Sequence, residues 1–221
     1  MRSFSLRQGR VTVAQRKAIE TLLPQYRLRQ DVTLPAGSDN GFSQSAPLWL
    51  EIGFGNGDLL LELGCQMPEI NFIGAEVYPP GVGRLLQGLE QSQIGNVRIA
   101  MDDAFELLSN RVADRSLSRI LLMFPDPWPK KRHHKRRIVN PAFADLLARK
   151  LTENGEFHAA SDWEPYIEHM LEVLDAHPAL ENVAGKGNTS PAPAYRIATH
   201  FEQRGRALGH GVWDLLYRLK S

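Results

Sequence analysis

Strand-like and helix-like segments alternate five times between residues 48 and 177, and this order constrains the fold more than any other feature of the chain. Residues 48–52, 71–76, 96–101, 117–124 and 155–160 read as short strands, the fourth strongly apolar. Such an apolar run suits a strand covered on both faces. Helical patterns fall between them, at 58 to about 67, at 81–91, from about 104, at 141–150 and at 164–177. Asn56 or Asp58 is placed to cap the first of these, and Pro141 suits a first helical position. The alternation predicts an α/β, Rossmann-like fold with a mostly parallel sheet, helices on both faces and right-handed crossovers. Residues 212–219 alternate in polarity and predict a last strand, antiparallel and at the edge. Residues 13–23 predict a short helix ended by Pro24, and 35–47, rich in Gly, Ser, Asn and Pro, predict a linker. Residues 1–47 are therefore read as an N-terminal extension and 48–221 as the main domain.

The chain of 221 residues has one cysteine, Cys65, which excludes an internal disulfide and fits a reducing compartment. No apolar run reaches the roughly 20 residues that span a bilayer. Met1-Arg2-Ser3-Phe4-Ser5-Leu6-Arg7 lacks an apolar core, so no signal peptide is expected, and a cytoplasmic location is. The net charge is only +1, yet residues 130–137 carry six Lys or Arg. A basic patch on an otherwise acidic body is a footprint for a polyanion.

Chemistry concentrates after the strands. Glu51-Ile52-Gly53-Phe54-Gly55-Asn56-Gly57 places a glycine-rich turn at the end of the first strand. Glycine lets the chain turn sharply and lets a ligand approach the backbone. The spacing is G-x-G-x-G, not the dinucleotide pattern G-x-G-x-x-G. Glu51 would repel a pyrophosphate and attract a cofactor bearing cationic groups. Glu76, at the end of the second strand, can accept hydrogen bonds from ribose hydroxyls. Asp102 or Asp103, after the third, can accept one from an adenine amino group. Asp162 comes after the fifth.

Phe124-Pro125-Asp126-Pro127-Trp128-Pro129 lies just past the fourth strand. Two prolines stiffen the turn and fix the angle of Asp126, and Trp128 offers a face for stacking on a base. Lys130-Lys131-Arg132-His133-His134-Lys135-Arg136-Arg137 comes next and can neutralise phosphates. Adjacent histidines on a basic run make poor ligand geometry, so no metal is expected. Thr199 and Glu202, in Thr199-His200-Phe201-Glu202, can meet a nucleobase edge, although Thr-x-x-Glu is equally a helix capping box.

Three readings share parts of this pattern. An NAD-dependent dehydrogenase conflicts with the glycine spacing and with the lack of a proton donor. A non-catalytic RNA binder conflicts with the intact glycine turn beside Asp126. A methyltransferase acting on protein or small molecules leaves the basic run without a purpose.

Over nearly its whole length the chain resembles the bacterial tRNA (guanine-N(7)-)-methyltransferase family. The resemblance rests on Arg2-Ser3-Phe4 with Arg7, Gly9-Arg10 and Thr12, the Glu51-to-Gly57 turn, Gly74-Ala75-Glu76-Val77, and Asp103-Ala104. Its most specific part is Pro125-Asp126-Pro127-Trp128-Pro129-Lys130-Lys131-Arg132-His133. It continues in 199–205, Gly209-His210 and Val212-Trp213-Asp214-Leu215. It implies a seven-stranded class I methyltransferase fold and transfer of a methyl group from S-adenosylmethionine to nitrogen 7 of guanosine 46 in the variable loop of tRNA. Another RNA is the alternative substrate. Glu51, Gly53, Gly55, Gly57, Glu76, Asp103 and Asp126 would line the cofactor site, with Asp126 catalytic. Lys130, Asp162, Thr199, His200, Phe201 and Glu202 would contact the substrate. Arg132, His133, His134, Lys135, Arg136 and Arg137 would meet RNA. A monomer is expected and a dimer left open. The family usually carries Lys where this chain has His200, exchanging a permanent charge for one that titrates near neutrality.

Overall fold

The computed structural model describes residues 9–29, 33–34, 41–197 and 211–220. Its centre is a seven-stranded sheet. In chain order the strands are β1 (Leu48–Ile52), β2 (Asn71–Ala75), β3 (Val97–Ala100), β4 (Leu117–Met123), β5 (Leu151–Ser161), β6 (Leu180–Asn182) and β7 (Trp213–Leu219). They lie side by side as β3-β2-β1-β4-β5-β7-β6. β1 to β5 are parallel, and β7 is antiparallel to both of its neighbours. The helices are α1 (Val13–Tyr26), α2 (Asp58–Gln66), α3 (Pro79–Gln91), α4 (Ala104–Asn110), α5 (Pro141–Lys150) and α6 (Glu164–Asp175). The expected Rossmann-like sheet is present, and its two apolar clusters mark the two covered faces.

Strands β1 and β2 are buried along their whole length, Glu51 and Asn71 included, which is why they read as largely apolar rather than alternating runs. Helix α2 buries Leu59, Leu60 and Leu63. Each such side chain contributes roughly 1.5–3 kcal/mol when removed from water.

Three local expectations need correction, and a fourth feature was not expected. First, α1 does not stop at Pro24 but runs through it to Tyr26. The missing N–H costs one bond, yet Arg27 N–H still donates to Leu23 O at 2.7 Å. Leu23 and Tyr26 are buried in the core, and their burial offsets a proline penalty of about 3 kcal/mol. Second, neither Asn56 nor Asp58 caps α2. The cap is Gly57 at φ 80°, where a Cβ would stand 2.7 Å from Leu85 Cβ. Asp58 is instead the first helical residue, favourably placed on the helix dipole and paired with Arg84 at 3.0 Å. Third, β7 is not the edge strand. The three-residue β6, which the sequence did not announce, covers it. Fourth, the loop after β4 contains a 3-10 helix at Lys131–Arg136.

The N-terminal segment is packed on the main sheet and its helices. Thr12 and Gln15 form a reciprocal capping box at the start of α1. The helix lies against α3 so closely that a Cβ on Gly83 would stand 2.7 Å from Gln15 Cβ. Beyond α1 the chain runs along the β3 edge, where Leu28 N–H donates to Ile99 O at 2.9 Å.

The register aligns the carboxyl ends of β1 to β5. Gly53 N–H donates to Ala75 O, Glu76 N–H to Ala100 O and Phe124 N–H to Ala160 O, at 2.8–3.0 Å. In open α/β sheets ligands bind beyond these ends. The glycine turn is held there by a close approach: a Cβ on Gly81 would stand 1.9 Å from Gly55 O. Gly81→Ala is expected to destabilise the protein by about 1–3 kcal/mol, as overpacking does. Urea unfolding checks this, and an unchanged midpoint would contradict the contact.

Candidate active site

Gly53, Gly55 and Gly57 all have positive φ, at 70°, 57° and 80°. An L side chain would be strained at each position. At Gly53 and Gly55 nothing lies within 4 Å of where a Cβ would stand, so bare backbone faces open space. Glu76 closes the turn from the next strand. Its Oε2 accepts from Gly55 N–H at 2.9 Å, and its Oε1 from Val77 and Tyr78 N–H at 2.8 and 3.0 Å.

Acid groups converge here. Glu51 is 3% exposed, and its Oε2 has no hydrogen-bond partner among the described residues. Burial pushes its carboxyl up to about 8, with Glu76 and Asp58 adding repulsion. Glu76 is also raised, first by burial, against the backbone N–H groups that favour its charge, and Asp126 adds repulsion. Asp126 thus belongs to the same electrostatic cluster as Glu76, across the tips of β1, β2 and β4.

The Pro125-Asp126-Pro127 turn is bracketed by two non-glycine residues of positive φ, Phe124 at 50° and Trp128 at 46°. Such conformations cost of order 1–3 kcal/mol each and persist where the surroundings hold them. Trp128 is not a bare platform, because Arg136 lies over its ring at 4.8 Å and His133 meets it edge-on at 5.9 Å.

The remaining candidate residues divide by position. Asp103 caps α4, accepting from Phe105 N–H at 2.9 Å, while Asp102 is drawn aside to Arg111 at 2.7 Å. Asp162 lies half-buried past the end of β5. Lys130, Lys131, Arg132, Lys135 and Arg136 are exposed, and His133 and His134 partly so. Desolvation and then the neighbouring cations hold His133 below the usual histidine range. Arg137 does not share the exposure expected of it, for it is 4% exposed and turned inward. Thr199, His200, Phe201 and Glu202 lie outside the described residues. No group of three metal-ligating side chains occurs among the described residues, and no helix there is long and apolar enough to cross a membrane.

A buried network escaped the sequence reading. His158 Nε2 lies 2.7 Å from Asp214 Oδ1, and its Nδ1 2.9 Å from the Tyr195 hydroxyl. Arg196 Nε reaches the same Asp214 oxygen at 2.7 Å. Arg119 lies 4.4 Å from the ring centroids of both Trp49 and Tyr195 and pairs with Glu156. The network ties residues 195–196, just before the Thr199 segment, to β5 and β7. Its partners stand far apart in the chain, from 18 residues for Arg196 and Asp214 to 76 for Arg119 and Tyr195, so no local spacing could announce them.

Comparison with known proteins bears on this geometry. Residues 45–215 match the family described as a putative methyltransferase. The tRNA (guanine-N(7)-)-methyltransferase of Methylococcus capsulatus is 53% identical over 99% of this chain and 94% of its own length. That of Alcanivorax borkumensis is 48% identical over 100% and 92%. The chain belongs to the tRNA (guanine-N(7)-)-methyltransferase family.

Solved structures place the family's fold more widely. An rRNA methylase from Streptococcus thermophilus aligns with a TM-score of 0.52 over 96% of this chain and 100% of that one, at 9% identity. A putative methyltransferase from Streptococcus mutans, solved in complex with SAH, gives 0.51 over 80% and 90%, at 10% identity. At these identities the likeness is one of fold. In this tRNA (guanine-N(7)-)-methyltransferase family member, the buried acid has a consequence for stability. Folded Glu51 keeps its proton up to about pH 8, against 4.5 as its ordinary value. Its contribution is therefore full below pH 4.5 and is lost as pH rises towards 8. Glu51→Gln, which cannot ionise, should exceed the wild type by on the order of 2–3 kcal/mol at about pH 7 and match it near pH ~4. Urea unfolding at both pH values checks the sign. Equal stabilities at neutral pH would contradict it.

Proposed function

We propose that this chain transfers a methyl group from S-adenosylmethionine to nitrogen 7 of a guanine in tRNA, at guanosine 46 of the variable loop, in the cytoplasm. The observation that carries the reading is the convergence of Glu51, Glu76 and Asp126 beside bare glycine backbone, next to the exposed cations of 131–136. Clustered carboxylates at a sheet tip suit a cationic nucleoside and repel a pyrophosphate. The fit to S-adenosylmethionine rests on the buried, partnerless Glu51 oxygen and on the open space at Gly53 and Gly55. Glu51, Gly53, Gly55, Gly57, Glu76, Asp103 and Asp126 would hold it. When bound it supplies an electrophilic methyl group on a sulfonium.

The rest is done by the protein's own residues. Nitrogen 7 of guanine carries an in-plane lone pair and no proton, so no side chain needs to act as a base. The site has to hold that lone pair in line, and orientation can contribute up to about 7–11 kcal/mol. Methylation leaves positive charge on the purine, and Asp126, on its stiff turn, stabilises that charge as it develops. Lys130, Asp162 and 199–202 would contact the guanosine, and the exposed cations of 131–136 the phosphates. Nitrogen 7 lies in the deep major groove of an RNA helix, so the target must be in a loop or be drawn out of its contacts.

Asp126→Ala should lower kcat by about 100-fold or more, the scale of losing a charge-stabilising group, while changing the Kd for tRNA less than about twofold. Label transfer from tritiated cofactor and filter binding measure the two. Equal losses would refute the role of Asp126. Mapping the modified nucleotide decides the substrate: 7-methylguanosine at position 46 supports the proposal, and label only in another RNA favours the alternative.

A further inference from the structure

The eight-residue basic run is not uniform. Lys130, Lys131, Arg132, Lys135 and Arg136 face solvent, whereas Arg137 is 4% exposed. Its Nε–H donates to the carbonyl of Pro127 at 3.0 Å. Its guanidinium lies over the ring of Tyr166 at 4.8 Å from the centroid, and Tyr166 is fully buried. Backbone bonds fix it further: Arg137 N–H donates to His134 O at 2.9 Å, and Asn140 Nδ2 donates to Arg137 O at 3.3 Å. The next two residues, Ile138 and Val139, are buried.

A buried arginine cannot reach a phosphate without leaving this seat. Desolvation lowers its pKa but leaves a guanidinium charged at any ordinary pH. What the side chain does is join the two ends of the loop. Pro127 stands one residue after Asp126, and its carbonyl is fixed through residue 137 to α6, which carries Tyr166. Between these joined ends lies the 3-10 helix that displays the cations. The left-handed conformations at Phe124 and Trp128 need such an external hold.

We infer that Arg137 is a positioning residue that holds the Pro125-Asp126-Pro127 turn in its working geometry and so couples the phosphate-facing helix to Asp126. The inference deepens the functional reading above and rests on it for its kinetic part. Planarity and the Nε–H matter here rather than charge alone, so lysine is not an equivalent replacement.

The test uses the full-length chain with Arg137→Met and Arg137→Lys. Hydrogen exchange of peptides spanning 124–137, in the free protein, should quicken in both variants while the β1–β2 peptides stay unchanged. This readout stands whether or not the protein methylates tRNA. Kinetically, kcat should fall about 10- to 100-fold in both variants, the scale of a small misplacement of a reacting group. The Kd for tRNA and the slope of log K against log salt should stay at the wild-type values. A slope reduced by about 1 in Arg137→Met and restored in Arg137→Lys would make Arg137 a phosphate contact and overturn the inference. Unchanged exchange and unchanged kcat would overturn it as well. Should Arg137→Met fail to fold, Arg137→Lys retains the charge and length and decides by the same readouts. If the wild type itself transfers no label to tRNA, the functional reading fails, and the exchange result alone judges the positioning role.

Discussion

The carboxylate of Glu76 is the clasp on which the site depends. It sits past the end of β2 yet takes a backbone N–H from Gly55 in the turn after β1, and two more from its own strand exit. A side chain of one strand thereby shapes the ligand loop of its neighbour. Charge-assisted bonds to backbone N–H are among the stronger ones a protein makes. The Gly55 bond adds to the backbone bonds of Gly53 to Ala75 and Gly57 to Phe54, which also hold the turn. The bond also fixes the Glu76 carboxylate near a second acid, Glu51, that is already buried.

Acids that crowd one another cost stability, and the molecule tolerates this at the sheet tips. Two buried cations elsewhere have acidic partners. Lys150 meets Asp114 and the Val112 carbonyl, and Arg196 meets Asp214. Glu51 Oε2, by contrast, has no hydrogen-bond partner among the described residues. In the loop after β4, half-buried Asp126 stands a few residues before the solvent-facing Lys130, Lys131, Arg132, Lys135 and Arg136.

Much of this was legible in the sequence because the governing periodicities are local. Largely apolar runs marked β1 to β4, and the glycine spacing marked the turn. What stayed hidden was set by distant partners. Pro24 was read as a stop because the burial of Leu23 and Tyr26 is invisible to a local rule. The β6 strand is three residues long and pairs with a strand some thirty residues later in the chain, β7. Arg137 looked like its neighbours in the run, since nothing nearby in sequence says that Tyr166 and the Pro127 carbonyl await it. The His158, Asp214, Tyr195 and Arg196 cluster belongs to the same class of hidden feature.

The place of β7 has a temporal meaning. It lies between β5 and β6, although it comes after both in the chain. A growing polypeptide can pair β1 to β5 as they appear, but it must leave a slot beside β5 until residues 213–219 emerge. Until then His158 and Arg196 lack their aspartate. The buried network thus cannot be completed early. A ribosome-attached fragment ending before β7 would carry the strand tips but not the latch that Asp214 closes on His158 and Arg196.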